Sequence, residues 1–328
     1  MDKKNRRDAI KVVSGASAVL ALGATESQVI AGERRTGAHS SATDSKPMQL
    51  YKSLSDEQRA KICLPSNHTK RQFISNWWYV HRSHRINNTF DKDQQVLIQE
   101  IFDSMHSEEH QAAVNKQVRM DQYGAEKNSP SVGFFGNPEN EDFEFIYTGH
   151  HVTRRCNAHS DNGSGFGGAP IFYGHFPEDF NETKDHPGNP YWYQGKIFNE
   201  FVQALDSRQQ AIALDDSSPR SEKPSFVIDM KTEGWPGLSC AELSPDQQSL
   251  FVTTMKRMMA MFREDDVEAT FKTIEERKMV DDLYISYYGG RFDIGNDKVW
   301  DTWQIEGPEL VWYFRGVPHI HSYFHLKS

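Results

Sequence analysis

Cysteine is scarce in this chain of 328 residues: Cys63, Cys156 and Cys240 stand far apart and no Cys-x-x-Cys pair occurs. Neither a zinc knuckle nor a disulfide framework is indicated, which leaves one bridge with a free thiol, or three small buried residues. A mean hydropathy of -0.71 excludes a membrane bundle. Basic residues are outnumbered, giving a net charge of -9 and a pI near 5.9, and no Lys/Arg stripe follows the first residues. Nucleic acid is therefore not an expected partner, because phosphate binding needs such a stripe. No Gly-x-Ser-x-Gly elbow occurs, and Cys156 near His159 has no evident orienting group, so covalent hydrolysis finds no support. The glycine run Gly163–Gly168 lacks the Lys-Ser/Thr ending of a phosphate loop and reads as a flexible lid.

A charged content of 25% and a hydrophobic content of 37% are those of a soluble globular protein with one large core or two modest ones. Residues 1–31 read as an export signal. Lys3, Lys4, Arg6 and Arg7 precede an apolar run from Ala9 to Ala24 that is too short for a stable span, and Val29-Ile30-Ala31 fits a cleavage site. Arg6-Arg7 with Lys11 resembles the twin-arginine signal. Ala9 stands where a larger apolar residue is commoner, so ordinary secretion and a retained anchor stay open. Export implies a periplasmic or extracellular location, with no stable membrane span once the signal is removed. Residues 32–48 are polar and read as a disordered linker, and 49–328 as one domain.

Ser55-Asp-Glu-Gln58, Asp91-Lys-Asp-Gln94, Asp206-Ser-Arg-Gln209 and Ser244-Pro-Asp-Gln247 each place a capping oxygen three residues before a glutamine. Each predicts a helix start, with Leu54, Phe90, Leu205 or Leu243 as a hydrophobic staple. The irregular spacing of the four argues against a solenoid. Further helices are predicted over 107–122, 195–204 and 264–282, and strands over 143–153, 169–175, 225–230, 284–294 and two or three antiparallel segments from Trp300 to His325. Helices and strands do not alternate. The pattern predicts a single α+β domain with a mainly antiparallel sheet packed against several helices.

On a strand, His319 and His321 share one face, which makes them a two-point metal chelate. Gly149-His150-His151 is the nearest source of a third imidazole, with one of its two histidines facing the site if that segment is extended. His325 shares the His319/His321 face, as a fourth ligand or an exposed terminus. Glu306 is the acid candidate, and Arg154 and Arg315 are anion-binding candidates for the chemistry. A second cluster spans Trp77 to Arg85. There His81 and His84 share a side if the segment is helical, and aromatic and basic residues interleave as in a carbohydrate or anion pocket. Trp78, His81, Arg82, Arg155 and Trp192, the last beside the turn-rich loop 185–193, are the substrate-contact candidates. For each cluster a structural role in the core is the competing assignment.

Phe134-Phe135-Gly136-Asn137-Pro138, Gly149-His150-His151, Phe172-Tyr173-Gly174, Gln209-Gln210, Ile305-Glu306-Gly307-Pro308 and His319-Ile320-His321 together resemble the bacterial and fungal family known as domain of unknown function 3500. The resemblance runs from about Leu54 to the end and departs in a long insertion, Ser160–Asn189. It implies one domain and these residues as its distinctive part, without an activity. The residues themselves point to an exported metalloenzyme for a small molecule or carbohydrate. Copper or iron is favoured with zinc admissible, and oxidoreductase chemistry is favoured over metal-assisted hydrolysis. A non-catalytic protein with an aromatic carbohydrate groove and structural histidines is the alternative.

Overall fold

The computed structural model describes residues 45–122, 126–137, 143–157, 165–175, 190–215, 217, 219, 226–228, 230–290, 301–316 and 318–327. The expected signal, most of the linker, His159, most of the 160–189 insertion and the end of the expected strand 284–294 lie outside the described residues. The α-helices are α1 (Lys46–Ser53), α2 (Asp56–Ile62), α3 (Ile86–Thr89), α4 (Lys92–Ser104), α5 (Glu108–Asp121), α6 (Tyr193–Gln203), α7 (Ser207–Ala213), α8 (Pro245–Met258) and α9 (Glu264–Glu276). Helix α1 begins inside the segment expected to be linker.

Helices α2, α4, α7 and α8 begin where the capping pattern places them. Ser55, Asp91, Asp206 and Ser244 accept from a first-turn amide, and Gln58, Gln94, Gln209 and Gln247 return to the cap N–H. The residue before each cap is buried. These glutamines also join the helices in pairs: Gln58 with Gln94 through 2.8 and 3.2 Å bonds, and Gln209 with Gln247 through 3.0 and 2.8 Å bonds. The helix expected over 264–282 stops early, where Lys278 adopts a φ of 52° and a 3₁₀ turn follows. Residues 77–85 are not helical; His84 N–H donates to His81 O (3.1 Å) in a turn before α3.

The strands are β1 (Cys63–Leu64), β2 (Phe73–Ile74), β3 (Ser131–Phe135), β4 (Glu144–Gly149), β5 (Val152–Asn157), β6 (Ile171–His175), β7 (Leu214–Asp215), β8 (Phe226–Val227), β9 (Leu238–Ser239), β10 (Tyr284–Tyr288), β11 (Thr302–Glu306), β12 (Leu310–Arg315) and β13 (Ile320–Leu326). The run expected as one strand over 143–153 is a hairpin of β4 and β5. One sheet runs in the order β1-β3-β4-β5-β6-β13-β12-β11-β10-β7, with β9 also on β10; β2 and β8 form a second. Among the described residues only β1–β3 and β7–β10 are parallel pairs, so the fold is α+β with a mainly antiparallel sheet, as expected. Alternation divides the strands: Val152, Tyr173, Trp312 and Phe324 enter the main core with the helices, while Phe172, Val311, Tyr313 and Tyr323 pack with Ile74 and Ile228 on the opposite face. No helix among the described residues is long and apolar enough to cross a membrane.

The strand order is a palindrome, and the register shows why. Cys63 pairs in parallel with Phe134 as Leu214 does with Tyr287. Ser131 opposes Thr148 as Tyr284 opposes Glu306, and Glu144 opposes Asn157 as Thr302 opposes Arg315. Helix α1 packs on α4 as α6 packs on α8. Each residue of one half thus answers a residue roughly 150 positions later, the mark of a repeated unit. Among the described residues, three pairings cross between the halves: β6 with β13 from Ile171–Phe324 to His175–Ile320, β2 with β8, and the single bridge His106–Phe262. In each, a segment meets its own counterpart antiparallel, as a two-fold axis requires.

Gln94 is buried, returns to its own helix cap, bonds Gln58 and donates to Ser53 O (2.9 Å). Gln94→Ala is expected to lower stability by about 2 kcal/mol in urea unfolding. A loss within experimental error would show that the paired caps do not hold α2 to α4.

Candidate metal centre

The loop between β4 and β5 is two residues long, His150 and His151, because Gly149 pairs directly with Val152. His151 takes a φ of 54°, a left-handed conformation in which histidine is enriched among non-glycine residues. Its N–H donates to Asn76 O (2.7 Å), and its carbonyl accepts from Gly174 N (3.1 Å). Beside the loop, β6 and β13 run antiparallel with Gly174 opposite His321. A Cβ on Gly174 would lie 2.4 Å from Ile320 O and 3.3 Å from the Cδ2 atoms of both His151 and His321. Glycine here lets the two imidazoles approach.

Three imidazoles converge as a result. His321 Nε2 lies 3.0 Å from His151 Nε2 and 2.9 Å from His319 Nε2. His151 and His321 are buried, and His319 is partly exposed at the rim. His151, His319 and His321 are placed to hold a metal ion, and Asp121, His150 and His151 form an overlapping group. Asp121 closes α5 beneath the loop. It accepts from His151 Nδ1 (3.0 Å) and Gln117 Nε2 (2.6 Å), while its carbonyl accepts from His150 Nδ1 (2.7 Å). A carboxylate on the far nitrogen of a ligating histidine fixes its tautomer and turns the other lone pair inward.

Burial keeps the His151 and His319 rings neutral. Burial pushes the His151 imidazole down to about 3 despite its bond to Asp121. Burial, with His151 and Arg315 nearby, lowers His319 to about 3 as well. Burial raises the Asp121 carboxyl, but the hydrogen bond from His151 and the nearby His175 ring, 3.7 Å away, outweigh it and hold the group ionised, well below the usual carboxylate range. Arg315 on β12 contacts His321 Nδ1. A guanidinium only donates, so Nδ1 accepts and the proton of His321 sits on Nε2. That proton faces the lone pairs of His151 and His319, which accounts for both short contacts centring on His321.

A family model described as protein of unknown function (DUF3500) matches residues 36–327. The chain belongs to this family. No curated protein and no solved structure matches it. In this DUF3500 chain, Arg154 reaches the centre indirectly: Nη2 donates to Tyr191 OH (3.5 Å), Tyr191 donates to Gln117 (2.7 Å), and Gln117 donates to Asp121. Glu306 lies elsewhere. It opposes Val311, which opposes His325, at the other end of the strands, where it contacts Gln304. His325 is neither beside the triad nor exposed; it is buried four residues along β13, ~13 Å away at strand rise. Arg155 is locked to Glu144 (2.7 Å) and to the carbonyls of Pro170 and Phe73. Trp192 is core, and His81 is buried with Nε2 at 3.1 Å from Ile62 O. Trp78 and Arg82 line a separate pocket.

Asp121, Gln117, Tyr191 and Gly174 were not foreseen. Glycine beside a histidine-bearing loop was the one available signal, since a helix-terminal aspartate is common everywhere. The cysteines are free, and burial pushes the thiol of Cys63 up to about 11 and those of Cys156 and Cys240 higher still, so none is poised as a nucleophile.

Histidines away from the triad set the acid limit of the fold. Burial, with Lys70 and Arg155 respectively, lowers His81 and His325 to about 4, and burial with Arg154 holds His106 well below the usual histidine value. Their folded values lie below the unfolded value of about 6.5, so their stabilisation is full above that pH and is lost as pH falls toward 4. The urea midpoint is expected to fall steadily over that window, each histidine contributing about 1.4 kcal/mol per pH unit at most. A constant midpoint would contradict the neutral, buried assignment.

Proposed function

We propose that the protein is an exported metalloenzyme holding one transition-metal ion on His151, His319 and His321. The observation that carries this is the convergence of three imidazoles whose nearest carboxylate orients a ligand instead of occupying the centre. All-imidazole ligation suits copper, iron or zinc, and copper or iron is favoured because no carboxylate enters the ligand set. His151 and His319 would bind as neutral ligands, and the Arg315 guanidinium would balance the charge of a His321 ring that gives up its Nε2 proton, so the charge of the ion stays uncompensated. Such a centre favours the reduced ion and draws an electron-rich or anionic group to its open side at His319, so oxidoreductase chemistry is the better supported reaction class. Holding an ion on Nε2 would cost His321 the proton there, and the Arg315 guanidinium beside Nδ1 would stabilise the imidazolate that remains. Export rests on the twin-arginine-like segment around Arg6 and Arg7. A non-catalytic binding protein, its histidines held as a metal-free hydrogen-bonded trio, is the second possibility and is favoured by the aromatic pocket beside the centre.

Elemental analysis of natively purified protein tests the proposal. About one equivalent of copper, iron or zinc is expected, none in the His319→Ala/His321→Ala double variant with an unchanged circular dichroism spectrum, and roughly 10- to 100-fold weaker retention in Asp121→Asn. Absence of metal after both native purification and reconstitution would sink the metalloenzyme assignment.

A further inference from the structure

A cavity of about 630 Å³ lies on the segment that precedes α3, lined by Lys70, Phe73, Trp77, Trp78, Tyr79, Arg82, Arg85 and Asn128. Four aromatic rings and three cationic side chains meet there, with no carboxylate among the lining residues, in a protein whose overall charge is -9. Among the described residues, Lys70, Arg82 and Arg85 form no ion pair. The Arg85 guanidinium sits 3.0 Å from the centroid of the Tyr79 ring, and its Nη1 is buried without a hydrogen-bond partner. Burial lowers the Arg85 pKa, as expected for a cation drawn partly out of water. A buried, unanswered guanidinium N–H is costly unless a ligand supplies an acceptor. Trp77 is 49% exposed, an unusual state for so large a ring, and Tyr79 OH accepts from its Nε1 (2.9 Å), which fixes the indole in place.

We propose that this pocket binds a ring compound bearing a carboxylate. The ring stacks on Trp77 and Trp78, where flat aromatic faces meet either an aromatic ring or the apolar face of a sugar. The carboxylate pairs with the Arg85 guanidinium where it lines the pocket, with Arg82 as the second cation; guanidinium and carboxylate share a planar, two-pronged geometry. An aromatic acid and a sugar acid offer the same chemistry, and the experiment separates them. The site is not sealed from the histidine centre. The Trp77 ring stacks on His150 at 4.6 Å, His150 stacks on His151 at 3.9 Å, and Asn76, next to Trp77, holds the His151 amide. Ligand binding therefore bears on the loop that carries His151, yet it needs no metal and stands or falls separately from the metalloenzyme proposal.

Tryptophan fluorescence and calorimetric titration of the full chain, metal-free and reconstituted, with benzoate, glucuronate, benzyl alcohol and glucose decide the matter. Saturable binding of benzoate or glucuronate, and of neither neutral compound, is expected. The acid that binds names the ligand class. Arg85→Met and, independently, the exposed Arg82→Met should weaken it about tenfold or more, and Trp77→Ala should abolish the fluorescence response, each with an unchanged circular dichroism spectrum. Equal binding of the neutral compounds, undiminished acid binding in both arginine variants, or no saturation with either acid would overturn the proposal.

Discussion

The antiparallel pairing of β6 with β13 is the constraint on which the rest depends. It joins two halves of the chain along their central strands, and its register sets Gly174 opposite His321. Shifting that register by one residue would turn His321 to the helix-covered face and put Ile320 or Ser322 beside the His151 loop. The convergence of the three imidazoles is thus a product of long-range pairing. Neither the Gly-His-His loop nor the His-x-His strand makes a site alone.

The repeated unit makes the asymmetry of the centre informative. His151 and Glu309 occupy equivalent loop positions, each following a glycine by two residues, and the carbonyl of each accepts an amide from the next strand: Gly174 N at 3.1 Å and Lys327 N at 2.8 Å. In the first half the loop residue bonds the helix-terminal Asp121, fully buried; in the second, Glu309 pairs with Arg277 at the end of α9 in a half-exposed ion pair at 2.7 Å. An exposed pair of that kind adds little stability. The same scaffold position therefore holds a surface contact in one half and a desolvated, neutral imidazole with an anchored lone pair in the other. Where Lys327 stands in the second half, Gly174 leaves room for a third ring in the first.

The local features were legible in the sequence because local physics fixes them. Cap chemistry located α2, α4, α7 and α8, and alternation with the turns at Gly307-Pro308 and Gly316 located β11 to β13. The same alternation put His319 and His321 on one face. What escaped was set by pairing across the chain. The helix starts seemed irregular when taken in succession; matched first with third and second with fourth, Ser55 with Asp206 and Asp91 with Ser244, they are the two halves of the repeat. Glu306, the acid candidate, stands at the far end of the strands from His321, because nearness in sequence says nothing about which end of an antiparallel strand a residue occupies. Asp121 was invisible for the converse reason: a helix end reaches the loop only after the sheet has formed.

The central claim is that His151, His319 and His321 share one ion. Its most direct test is an anomalous difference map from a crystal of native or reconstituted protein, collected at the absorption edge of the metal found. A single peak about 2.0–2.1 Å from the Nε2 atoms of all three histidines, with Asp121 still on His151 Nδ1, is the predicted result. A peak on Asp121 and His150, or well-ordered imidazoles at 2.9–3.0 Å with no peak between them, would contradict it.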